Sequence, residues 1–319
     1  MPLVTNTALR HTVTAAMLTP FDATGRPVVE AAGPYAASLV RDGVGALAVG
    51  AHTGRGLLLS SAERVAVVRA VRAAVDVPLV AGVGMAGDSS SVEQTMTRAA
   101  HEMADAGADA LLVYPVSRDA HPDIAGLHAL VARESGLPVI AFVLYEAASG
   151  HRYSVDLARR LVATDGVLGI KLAVLDDAVA CQDILVGCRA ERPDTVLFTG
   201  EDRMFGPSLM WGADAALVGI AAALPRVSVE LLNAWTRGRH AEFVRASRAA
   251  DALAALVFRA PVDRYVQRMA WLAAWEGRLP ESLCHDPGSA GTEERDALVA
   301  AVQDIVDIVD VVDVVPSGR

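Results

Sequence analysis

The chain has 319 residues, of which 53% are hydrophobic and 5% aromatic, and its formal net charge is -10. So much apolar material excludes a disordered chain and leaves a large core to be built from Ala, Val, Leu and Ile. An acidic chain without a basic stripe is not built for nucleic acid, and no run of about 18 apolar residues is present to cross a membrane. The opening residues, MPLVTNTALRHTV, lack the basic segment and apolar run of a signal peptide, so a cytoplasmic protein is expected.

Along the chain, apolar runs near 13–20, 46–51, 78–84, 109–115, 138–145, 167–173, 195–200 and 214–220 predict strands. Amphipathic stretches lie between them, among them 60–75 and 89–106, the latter with an N-cap expected at Asp88. Near-continuous apolar strands alternating with helices indicate a parallel sheet covered by helices. Two internal echoes repeat the pattern: DGVGALAVG, AGADALLVYP and WGADAALVGI form one set, VDVPLVAGVG and SGLPVIAFVL the other. Eight such units with right-handed crossovers close into a (β/α)8 barrel. An open doubly wound sheet is the alternative, but the first strand ends in MLTPFD and has no Gly-rich phosphate loop. The expected division is a catalytic barrel over 1–225, then the last barrel helix and a helical extension over 226–319, with helices at 227–253, 262–277 and 292–314. Cys181 and Cys188 read as buried residues of one helix, and Asp304, Asp307, Asp310 and Asp313 as a solvated stripe on the last helix.

Of 28 basic residues, 27 are arginine; the single lysine is Lys171. Arginine supplies surface charge equally well but cannot be deprotonated, so a lone lysine points to a site that needs a neutral amine. Lys171 interrupts the apolar run VLGIKLAV. Period-two alternation puts it on one face with Gly169 and Ala173, and puts Leu168, Ile170 and Leu172 on the other. The small-residue face is expected to look into the barrel, where desolvation lowers an amine's pKa and prepares it to form a Schiff base with a ketone. An ion pair with Glu201 or Asp202 is the competing reading.

MLTPFD, the Gly-Ala-His-Thr-Gly segment after strand two, PLVAGVG, GIKLA and TGED together resemble the dihydrodipicolinate synthase/N-acetylneuraminate lyase family over nearly the whole chain. The resemblance implies a class I, Schiff-base-forming aldolase or lyase on a (β/α)8 barrel, with Lys171 as the nucleophile. It implies that Thr53 holds the keto-acid carboxylate. His52, replacing a family threonine, would assist it or relay protons. Val218 would pack on the substrate, and Glu201 would line the site. Aligned without gaps on Lys171 and Gly150, the family's strand-five tyrosine falls on Val143; Tyr145, expected on the same inward face, is the candidate to replace it. Ala148 stands where the lysine-pathway enzyme has an arginine, and Ser117 where it has a tyrosine supplied across the subunit interface, so that pathway is not expected.

The sequence thus predicts a lyase acting on pyruvate or another unphosphorylated 2-keto acid, with an aldehyde as the candidate second substrate. GIAAALP after strand eight offers one glycine and no serine for a phosphate. No cofactor and no metal is expected, and the resemblance implies a homodimer or homotetramer. The alternatives are a metal-dependent barrel lyase using Glu146, Glu201, Asp202 and His52, or a non-catalytic barrel with a binding or regulatory role.

Overall fold

The computed structural model describes residues 6–85, 91–117, 119–175, 177–289 and 294–310. Eight strands, β1 (Val13–Ala16), β2 (Ala46–Val49), β3 (Leu79–Val83), β4 (Ala110–Val113), β5 (Val139–Leu144), β6 (Val167–Ala173), β7 (Val196–Thr199) and β8 (Ala215–Val218), pair in parallel in chain order. β8 returns to β1 and closes the barrel. Each lies within an expected apolar run. The strands are buried on both faces because helices cover the outside and side chains fill the inside.

The inner layer is uneven. Ala16, Ala46, Ala48, Ala110 and Ala215 supply small groups, while Leu112, Ile140, Phe142, Phe198 and Leu217 fill the remaining volume. With so few aromatic residues in the chain, bulk inside the barrel comes chiefly from β4, β5 and β7. The outer layer packs Leu47, Leu111, Ala141, Ile170 and Leu197 against the helices.

The repeated Ala-Asp before β4 and β8 has a shared physical role. Asp109 Oδ2 accepts from the amide of Leu79 and pairs with Arg72. Asp214 Oδ2 likewise accepts from the amide of Leu197 and pairs with Arg189. Each aspartate thus satisfies an amide at the start of the preceding strand, with an arginine from the helix that leads into that strand.

Helix starts follow capping chemistry. Ser60 and Glu63 form a capping box on Ser61–Ala74. Asp88 lies outside the described residues; Ser91 caps Val92–Asp105 by accepting from Gln94. Cys181 and Cys188 are buried in Ala178–Glu191. The expected helix at 227–253 is two, Pro225–Thr236 and His240–Val257, because Gly238 takes a left-handed φ of 66° between them. Tyr265–Trp275 follows, and Arg295–Asp310 is the last helix; the side chains of the acidic stripe at Asp304, Asp307, Asp310 and Asp313 lie outside the described residues. Among the described residues no helix is long and apolar enough to cross a membrane.

Candidate active site

Lys171 sits in the middle of β6, paired in register with Phe142 of β5 and Phe198 of β7, both of which face the interior. Gly169 and Ala173 share its face, as the alternation requires. Leu168 departs from the expected pattern: a register shift between Val139 and Ile140 brings it into the interior cluster. The lysine is 5% exposed, with Nζ 4.1 Å from the centroid of the Phe142 ring.

The two carboxylates of the competing ion-pair reading are engaged by backbone. Glu201 accepts from the amides of Val174 and Leu175, at 2.5 and 2.9 Å, and so fastens the exit of β6. Asp202 accepts from the amide of Ile220 at 2.7 Å. Neither makes an ion pair with Lys171 among the described residues. Burial lowers the Lys171 pKa to about 8, against the opposing charges of Asp202 and Glu201. Burial raises both carboxyls, Glu201 to about 7 and Asp202 to about 6.

Room for the lysine depends on Gly200. A Cβ there would stand 2.5 Å from Lys171 Cε and 2.6 Å from the carbonyl oxygen of Leu172. The second contact is backbone and cannot rotate away. Gly200→Ala is therefore expected to destabilise the fold by about 1–3 kcal/mol and to slow condensation at Lys171. Denaturant unfolding and the rate of imine trapping check this.

The strand-two loop folds as a short 3-10 turn, His52–Gly54. Thr53 is buried, and its Oγ1 lies 3.2 Å from the hydroxyl of Tyr265. His52 Nδ1 lies 3.0 Å from the same hydroxyl. Burial, then the charges of Arg55 and Lys171, push the His52 pKa down to about 4, so its imidazole is neutral at pH 7 and offers no cation to a carboxylate. Arg55, in the left-handed region at φ 52°, forms a two-pronged ion pair with buried Asp286 at 2.8 and 2.6 Å. Segments beyond residue 260 thus complete the mouth of the barrel. Neither Tyr265 nor Asp286 was foreseen: the sequence signal for each was a polar group inside an apolar helix or loop, with nothing to place it opposite β2.

Three expectations are corrected by geometry. Val218 faces the helices; its neighbour Leu217 is the inward residue of β8. Glu201 is fully buried and serves the loop after β6, so it presents no free carboxylate to a ligand. On β5 the inward residues are Ile140, Phe142 and Leu144, whereas Ala141 and Val143 pack outward. The place beside Lys171 therefore belongs to Phe142, not Val143, and Phe142 has no hydroxyl.

Tyr145 reaches the mouth for a different reason from alternation. The strand has ended at Leu144, and Tyr145 begins the one-turn helix Glu146–Ser149. Its amide donates to Ala173 at 2.8 Å, its ring packs against the interior cluster, and its hydroxyl is buried without a hydrogen-bond partner among the described residues. Its ring centroid is 6.2 Å from that of His52.

A cavity of about 490 Å³ opens beside it, lined among others by Glu146, Tyr153, Asp177 and Asp263. Leu144 and Tyr145 belong both to its wall and to the interior cluster. Glu146 and Ala148 are exposed. Among the described residues, no three His, Cys, Asp or Glu side chains converge as a metal site.

Residues 10–305 match the dihydrodipicolinate synthetase family. The 4-hydroxy-tetrahydrodipicolinate synthase of Bifidobacterium longum is 31% identical over 257 residues, 80% of each chain. The N-acetylneuraminate lyase of Citrobacter koseri is 31% identical over 209 residues, 64% of this chain and 67% of that one. Among solved structures, YagE from Escherichia coli, a prophage protein of the dihydrodipicolinic acid synthase family in complex with pyruvate, superposes with a TM-score of 0.81 at 22% identity, covering 92% of this chain and 98% of that one. The chain belongs to the dihydrodipicolinate synthetase family, and with it to the Schiff-base-forming aldolases and lyases built on a (β/α)8 barrel.

Proposed function

We propose that the protein is a lyase that condenses Lys171 with pyruvate or another unphosphorylated 2-keto acid, then makes or breaks a bond beyond the keto carbon. The observation that carries this is the state of the one lysine: buried, facing the barrel interior and unclaimed by either neighbouring carboxylate. Lowering an amine from 10.5 to about 8 raises its uncharged fraction at pH 7 by about 300-fold. The uncharged form has the lone pair that attacks C2 of the keto acid; loss of water leaves an iminium, which withdraws electrons from C3.

In this reading Tyr145 offers its unpartnered hydroxyl to a substrate oxygen from the cavity side, and Thr53 with the strand-two turn receives the carboxylate. A second substrate, an aldehyde, enters by the cavity. Exposed Ala148 gives that substrate no cation, which favours a reaction outside lysine biosynthesis. Assembly as a homodimer or homotetramer is part of the same proposal.

Incubation with pyruvate and borohydride, followed by peptide mass analysis, tests the reading. The expected adduct has the mass of pyruvate less one water plus two hydrogens and resides on Lys171. No adduct from any of a panel of 2-keto acids contradicts the proposal. The trapping rate also has an expected pH profile. Because the folded-state pKa lies near 8, the rate rises about tenfold per pH unit below it and levels above it. A rate still climbing at pH 10 would show an ordinary, solvated amine.

A further inference from the structure

We propose that Tyr265, supplied by a helix beyond the eight barrel units, carries the proton that must leave and return to C3 of the Lys171-bound keto acid; this rests on the Schiff-base reading above. The inward residue of β5 beside Lys171 is Phe142, whose ring has no proton to exchange. Tyr265 brings a hydroxyl to the mouth from the other side. It is 4% exposed, and its ring is stacked on Phe258 with centroids 4.6 Å apart and planes 16° apart, which fixes the direction of the C–O bond. The hydroxyl stands between Thr53 Oγ1 at 3.2 Å and His52 Nδ1 at 3.0 Å.

Gly219, just past β8, marks where these groups meet. A Cβ there would lie 3.0 Å from Thr53 Oγ1, 3.5 Å from Tyr265 Cε2 and 3.6 Å from Asp202 Oδ1. Thr53, Asp202 and Gly219 lie just past the C-terminal ends of β2, β7 and β8, and Lys171 lies in the C-terminal half of β6. The tyrosine is therefore held at the same end of the barrel as the amine, and a glycine keeps its surroundings open.

The step balances without any further reactant. In the iminium, the C3–H electron pair becomes the C2–C3 double bond, and the C2–N double-bond pair moves onto nitrogen. The C3 proton passes to the Tyr265 oxygen as the tyrosine's own proton passes to neutral His52 Nδ1. Thr53 donates to Tyr265 and holds that direction. Positive charge leaves the lysine nitrogen and appears on the imidazole, so one of the repulsions that keeps His52 uncharged is relieved as it accepts the proton. The reverse step delivers a proton to C3.

Exchange of the C3 protons of pyruvate in deuterium oxide, followed by proton NMR on the full chain, reads this step without a second substrate. Tyr265→Phe is expected to lower enzyme-dependent exchange by about 10²–10⁴-fold while borohydride still traps the adduct at Lys171. Exchange at the rate of the unaltered protein overturns the proposal. So does a folded variant that loses adduct and exchange together, since that outcome assigns Tyr265 a purely structural role. If Tyr265→Phe does not fold, Phe258→Leu removes the ring stacked on Tyr265 that sets the direction of its hydroxyl and is expected to show the same split; equal loss or no loss overturns it. Failure of the unaltered protein to form any adduct removes the Schiff-base reading itself, a result distinct from either.

Discussion

Replacing Lys171 with arginine is expected to abolish condensation with keto acids and to reduce turnover by roughly 10⁴-fold or more, while the barrel still folds. Arginine keeps positive charge but is never deprotonated in a protein, so the lone pair that attacks the carbonyl is gone. Folding survives because the long side chain already passes over the face of Phe142, where a guanidinium also packs, and because Gly200 keeps the channel clear. Exchange of pyruvate C3 protons, borohydride trapping and a thermal melt together check this. A variant that retains full exchange would place the chemistry on another residue.

The second large effect concerns the attachment of the strand-two loop. Arg55→Ala is expected to cost about 3–5 kcal/mol, measured by denaturant unfolding, because it leaves the Asp286 carboxylate buried without its cation. Asp286 keeps hydrogen bonds from the Gly288 amide and the Ser289 hydroxyl, which offset part of the loss. The same change releases the Arg55 contact to the carbonyl oxygen of Asp263, two residues before Tyr265. Proton exchange at C3 should therefore fall together with stability. A loss below about 1 kcal/mol would mark the pair as an ordinary surface ion pair.

Much of the barrel was legible in the sequence because burial on both faces leaves a continuous apolar run, and each run contains an observed strand. The importance of Lys171 was legible for a related reason: a lone amine inside such a run has no bland surface role to play. What was not legible depends on where regular structure ends. Counting in twos from Val143 puts Tyr145 inward, but the β5 inner face runs through Ile140, Phe142 and Leu144, and the chain leaves the strand at Tyr145. An ungapped alignment carried the neighbour of Lys171 to Val143, whereas hydrogen-bond register gives that place to Phe142. Val218 and Leu217 are both apolar, and only pairing with β1 decides which of them looks inward.

Contacts between distant segments were out of reach altogether. Thr53 and Tyr265 are 212 residues apart, and Arg55 and Asp286 are 231 apart. No periodicity in the sequence relates such positions. They meet because the barrel closes and the C-terminal helices fold back over the mouth, which is a property of the packed chain rather than of either segment. Glu201 shows the converse: its type and location suit a ligand, yet its oxygens accept from two backbone amides at the exit of β6.

The most direct measurement is a crystal structure of the protein soaked with pyruvate. The account predicts continuous density from Nζ of Lys171 to C2 of the ligand, inside the ring of strands, with the ligand's carboxylate against the strand-two turn. Pyruvate bound elsewhere, with the lysine nitrogen unmodified and held by Glu201 or Asp202, would contradict it.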